Sequence, residues 1–367
     1  MRKHVALAGL SLALVTAACQ WLVGIEDRPA VTLPAEAGAT PDGGDAGVDA
    51  APPDPCLATN VPPVPAVADD DTEQDLLFAL SRVEFGIDGG LPYLVNLDKR
   101  CTCPAEESCK RPVGATPACD GLQGSDNALA PVIGLLQSFR VVEQKTLNDN
   151  LLAGISGALI RVEKYNGKAE DPKVVVSVYG ALGTETGKPK GTAEDRWRVD
   201  ESALASPGTG SLVAKYRDTN AYVTGSRLVA FVNFAFDIGG DPRQPPLKAD
   251  LRDGYIVADL DPSARLTGVI TGRWPTSSVL GDIQAFPDPL GAGTLCGDSG
   301  TFKTVKQIVC GAADITSASG VDGLNRDCDA ISVHVGFEAT RASFGAVQPR
   351  PDAGVSSCGA GPAPSCL

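Results

Sequence analysis

Histidine is nearly missing from this 367-residue chain, with two copies, and aromatic residues make up only 5% of it. His4 lies in a leader-like N-terminus, so a processed chain keeps His334 alone. A single histidine cannot build an H-E-x-x-H zinc site, and a Ser or Cys nucleophile loses its usual base. His334 therefore reads as a surface or cross-strand residue. Scarce aromatics weigh against sugar recognition by stacking. Only Trp197 (DRWRV) and Trp274 (TGRWP) lie in the body of the chain, as candidates for a ligand platform or, more plainly, for packing. Basic residues are also short, 31 Lys+Arg against 45 Asp+Glu. Loss of Arg2 and Lys3 with residues 1–18 takes the formal charge from −14 to −16. A field of that sign disfavours nucleic acid and anionic membrane surfaces as partners, so no nucleic acid is expected, and suits a soluble surface protein or a calcium binder. No repeat of 20 to 50 residues is present.

What is there begins with a charged start, Arg2-Lys3-His4, followed by an apolar run from Val5 to Ala18 that closes on Thr16, Ala17 and Ala18. This is the layout of a secretory signal peptide. The stretch V-T-A-A-C at 15–19 resembles the lipobox of bacterial lipoproteins, with Thr16 where Leu is usual. The segment CQWLVGIED also resembles the N-termini of myxobacterial lipoproteins. The resemblance implies cleavage before Cys19, a diacylglyceryl group on its sulfur, and a membrane partner through that lipid. Two alternatives stay open, secretion without lipid and an uncleaved anchor, since Val5 to Ile25 could span roughly 30 Å of hydrocarbon.

Residues 26–55 hold no aromatic residue and one basic residue, Arg28. Such a composition cannot bury enough apolar area to offset its ordering entropy. It reads as a disordered spacer reaching on the order of 30 Å. The organisation expected is a signal peptide (1–18), a lipidated N-terminus with spacer (19–55) and one β-rich domain (56–367).

With Cys19 assigned to lipid, ten cysteines remain: Cys56, Cys101, Cys103, Cys109, Cys119, Cys296, Cys310, Cys328, Cys358 and Cys366. An even number in an exported chain reads as a disulfide framework. Five precede residue 120 and five follow residue 295. If all are paired, an odd number of bridges, so at least one, joins the two ends of the chain. Single-domain packing follows. The cluster C-T-C-P-A-E-E-S-C lacks the C-x2-C pairs that suit tetrahedral zinc.

Short segments rich in Val, Ile and aromatics recur at 156–165, 173–181, 226–236, 254–260, 264–274 and 330–340. In the last, Ile331, Val333, Val335 and Phe337 alternate with Ser332, His334, Gly336 and Glu338, the period of a half-buried strand. Residues 76–85 fit a strand or a short helix equally. Helical patterns occupy 126–139, 275–286 and 299–312. Turns every 8 to 12 residues between Gly183 and Gln244 suggest a mainly β fold, an antiparallel, jelly-roll-like β-sandwich with two or three short helices.

Local motifs tempt without completing a site. CGDSGT at 296–301 resembles the nucleophile segment of trypsin-like proteases, which would cast Ser299 as nucleophile, but that family places its His far upstream and none is there. Asp298-Ser299-Gly300 reads instead as a turn and helix cap. In GALGTETGKPKG, Pro189 stands where a phosphate loop needs Ser or Thr. Asp120, Asp126 and Asn127 are candidate ligands for a structural calcium, although neither CDGLQGSDN nor DDDTEQD (69–75) fits an EF-hand loop. No other cofactor is expected. The function expected is a cell-envelope lipoprotein, a binding or structural surface module at the outer membrane or cell surface, meeting an envelope protein or glycan. The alternative is a carbohydrate-binding module or a carboxylate-dependent glycoside hydrolase, which needs two carboxylates across a cleft.

Overall fold

Ile331, Val333, Val335 and Phe337 all point into one buried core, as their period-2 spacing requires. The computed structural model describes residues 61–350 apart from 70–71, 87–90, 92, 103–106, 113–118, 122–123, 139–142, 239–246, 292 and 297–298, together with 358 and 364–366. The leader, Cys19, the spacer, Cys56 and Cys103 lie outside the described residues.

In chain order the strands are β1 (Gln74–Glu84), β2 (Cys109–Lys110), β3 (Gly157–Tyr165), β4 (Asp171–Thr184), β5 (Arg196–Asp200), β6 (Tyr216–Thr224), β7 (Arg227–Ile238), β8 (Leu247–Asp261), β9 (Arg265–Pro275), β10 (Gly323–Asp327), β11 (Ala330–Arg341) and β12 (Ser343–Gln348). The ambiguous segment 76–85 is thus a strand. The helices are α1 (Leu129–Ser138), α2 (Gln144–Ala153), α3 (Thr276–Ile283) and α4 (Gly300–Gly311).

The fold is mainly β, but the expected sandwich gives way to a barrel. Strands run β4-β3-β1-β11-β9-β8-β7-β6, each antiparallel to the next, and β6 pairs back onto β4 to close eight strands into a ring. Alternation gives each strand one apolar face in either architecture. A sandwich buries that face against a second sheet, and a barrel buries it against itself. Pairing of β4 with β6 decides between them, and no local pattern encodes it.

Eight strands leave an interior just wide enough for side chains. Phe78, Ile160, Val176, Phe234, Ile256 and Val335 fill it, each contributing roughly 1.5–3 kcal/mol on burial. Two glycines let β8 and β9 approach closely where the barrel bends. A Cβ on Gly254 would fall 1.9 Å from the Thr271 carbonyl oxygen, and one on Gly268 would fall 2.1 Å from that of Val257. Next to Gly254 the β8–β9 register shifts, and Asp253 takes a left-handed backbone with φ 46°.

The four helices gather at one end of the barrel. α3 continues directly from β9, and Asn148 of α2 brackets Val83 near the end of β1 by bonding both its N–H and its carbonyl. Ile133, Leu151, Leu280 and Val305 of the helices join the barrel's own core. Ser299 caps α4, accepting from the Phe302 N–H at 3.0 Å, which is the cap role read for it. Among the described residues no helix is long and apolar enough to cross a membrane.

Three disulfides lock the unit: Cys109–Cys328, Cys296–Cys358 and Cys310–Cys366. The first spans 219 residues and joins the early and late cysteine groups. Cys101 and Cys119 are disulfide-bonded as well.

Candidate functional site

The seam that closes the barrel also opens a recess. β4 pairs with β6 from Asp171↔Val223 to Val178↔Tyr216, then leaves it and pairs with β5 through Ala181↔Val199 and Thr184↔Trp197. On the far side β7 and β8 continue together to Ile238↔Leu247. The strands therefore fork above Val178 and Tyr216. A cavity of about 440 Å³ occupies the fork, walled on its remaining side by Ser277, Ser278, Gly281 and Asp282 of α3. That volume lies in the range of small-molecule sites.

Its charged groups are unequally engaged. Asp200, at the end of β5, accepts from the Ser202 N–H at 2.9 Å and from Arg350 Nε and Nη2 at 2.6 and 2.5 Å. Burial pushes its carboxyl upward, but the bonds from Ser202 and Arg350 prevail and hold it below the ordinary range. Asp250 accepts from Arg252, and Asp282 accepts from the Lys248 backbone N–H at 2.8 Å. No ion pair among the described residues engages the ammonium of Lys215 or of Lys248. Lys215 Nζ lies over the Tyr216 ring, 5.3 Å from its centre.

A second polar group sits apart from the cavity, under a strap built from residues 93–102 and 124–128 on the outer face of β9 and β11. Tyr93, Val95 and Leu97 pack there with Val257, Val269 and Ile315. Arg273 of β9, fully buried, makes a two-pronged bond to Asp322 at 2.8 Å and donates to the carbonyls of Leu97 and Thr316. His334 of β11 is buried too, which corrects the surface role expected for it. Its Nε2 accepts from the Val95 N–H and its Nδ1 donates to the Asp126 carbonyl, so the ring is neutral with its proton on Nδ1. Burial lowers its pKa to about 4.

Four carboxyls in this region are raised by burial. Burial pushes Asp314 up to about 7, against bonds from Ser332 N–H and Oγ. Burial raises Asp126 well above the usual range, with the charges of Asp98, Asp314 and Asp120 adding to it. Asp120 rises to about 6 and Asp98 rises as well, both chiefly by burial. The calcium candidates Asp120 and Asp126 thus lie near one another. Their oxygens face different amides, Thr102 for Asp120 and both Leu97 and Asp98 for Asp126, while Asn127 Oδ1 takes the His334 N–H. Among the described residues no three His, Cys, Asp or Glu side chains are grouped to hold a metal ion.

No family model, curated protein or solved structure matches this chain.

The remaining sequence candidates fall elsewhere. Trp197 and Trp274 are 2% and 0% exposed, which removes them as platforms. Trp274 points into the barrel core, and Trp197 lies in a smaller outer cluster that β5 and β12 form over β1, β3 and β4. The glycine-rich loop before β5 wraps its own acid, with the N–H groups of Lys190, Gly191 and Thr192 all donating to Asp195 Oδ2. Glu73 and Asp75, from the acidic run at 69–75, pair with Lys164 and Arg161. The cavity residues Asp200, Lys215, Lys248 and Arg350 escaped the sequence reading. Arg273 carried a usable signal, a lone cation inside the apolar run LTGVITGRW.

Proposed function

We propose that this chain is a cell-envelope lipoprotein whose disulfide-locked barrel is a rigid binding module, with the fork cavity as its ligand site. Cys19 carries the lipid, residues 26–55 lift the barrel from the membrane, and the cavity faces the periplasm or the exterior. Export is supported by the three disulfides, one of them fully buried at Cys109 and Cys328, because such bonds persist in oxidising compartments.

One observation carries binding over catalysis: the cavity and the strongly raised carboxyls occupy separate places. General acid–base work needs a displaced pKa beside the substrate. In the cavity, the buried acid Asp200 is held ionised by Arg350. Metabolic labelling with a fatty-acid probe tests the anchor, and label that survives Cys19→Ala would overturn it. Gly281→Phe tests the cavity, since a Cβ there meets open space and a ring would fill the recess. A ligand that raises the melting temperature of the wild type should leave this variant unchanged.

The glycoside hydrolase reading draws on Asp200, Asp250 and Asp282 around one cavity. It needs one of them kept protonated, and Asp200 is shifted the opposite way. Release of reducing ends from an oligosaccharide, abolished by Asp282→Asn, would favour hydrolysis over binding.

A further inference from the structure

Within the fork cavity the negative groups already have donors, whereas among the described residues no acid pairs with the ammonium groups. Asp200 is bound by Arg350, Asp250 by Arg252, and Asp282 takes the N–H of Lys248. Lys215 and Lys248 enter no ion pair among the described residues, although the chain as a whole is strongly acidic. Beside them, α3 starts at Pro275 with no capping side chain, and its first turn places Ser277 and Ser278 on the cavity wall. Two lysines and two serines thus line one cavity, and among the described residues no acid pairs with either ammonium.

We propose that the cavity takes a small hydroxylated organic anion, its carboxylate or phosphate held by Lys215 and Lys248 and its polar body by Ser277 and Ser278. Lysine and hydroxyl donors suit both acid groups, since charge-assisted bonds to either are about twice as strong as neutral ones. A volume of about 440 Å³ admits a single sugar acid or sugar phosphate with room for water. The inference rests on the fork cavity being a binding site.

The test is calorimetric titration of the complete mature protein with glucuronate, glucose 6-phosphate and, as the neutral member, glucose. Saturable binding is expected for the two acids, with glucose at least about tenfold weaker, and K215Q/K248Q should weaken the acids at least about tenfold. The better of the two acids distinguishes carboxylate from phosphate. Both lysines are exposed, so the double variant keeps its fold, which its melting temperature checks. Glucose binding as tightly as the acids, or acid binding unmoved in K215Q/K248Q, overturns the anion assignment. If such binding still vanishes in Gly281→Phe, the cavity remains the ligand site. Absence of saturable binding by all three probes, or binding unaffected by Gly281→Phe, overturns both.

Discussion

Arg273 and Lys248 stand on adjacent strands of one barrel, and their charges meet opposite surroundings. Under the strap, Arg273 is fully buried and answered by a carboxylate and two carbonyls. At the fork, Lys248 is exposed and its ammonium pairs with no acid among the described residues. The strap region spends its polar groups on holding the chain to itself. The fork keeps some in reserve. Buried polar groups that bond to one another help to specify a structure, whereas unpaired charges at a surface are available to something else.

The widest gap between the two regions should appear in stability. Arg273→Met takes the cation from the buried Asp322, leaving it only the N–H and hydroxyl of Thr316, strips two carbonyls of their donor, and is expected to cost about 3–5 kcal/mol in denaturant unfolding. A loss below about 1 kcal/mol would mean that water reaches the strap, and the contrast with the fork would fail.

The pH dependence sharpens the comparison next. Asp314, near 7 in the folded chain and about 3.9 when unfolded, contributes stability that is lost as pH rises through that window. His334 runs the other way. At about 4 folded and about 6.5 unfolded, its contribution is present above pH 6.5 and lost as pH falls toward 4. Each proton carries a slope of up to about 1.4 kcal/mol per pH unit. Relative to the wild type, the unfolding free energy of Asp314→Asn should therefore tilt upward with pH between 4 and 7, and that of His334→Gln downward. Parallel profiles for all three proteins would show that neither group is sealed under the strap. The smallest effect belongs to the fork, where Lys215→Gln and Lys248→Gln should each change stability by no more than about 0.5 kcal/mol.

The strands were legible because period-2 alternation is local. Residues 264–274 and 330–340 became β9 and β11 almost to the residue. Barrel closure was not legible, because β4 meets β6 through a pairing whose side chains read alike in a sandwich. His334 was misplaced for a related reason. Its outward position on β11 was correct, but a strap carrying Val95 and Asp126, more than 200 residues earlier, covers that face. The cavity residues come from β4 to β8, α3 and Arg350, so no window of sequence could gather them. Cysteine parity succeeded where windows fail, because counting is insensitive to distance along the chain. It required a bridge between the ends, and Cys109–Cys328 is one.

That bridge makes residues 109–328 a covalent ring, threaded through the barrel from β2 to β10. β1 enters before the ring and β11 leaves after it, and these two strands lie side by side in the wall, Leu80 opposite Ala339. The ring is thus closed twice, once by sulfur and once by a strand pair that belongs to neither arc. A protease that nicks an exposed turn inside it, such as the one around Gly208, cuts the backbone without releasing a fragment. The two pieces stay covalently joined until the cysteines are reduced.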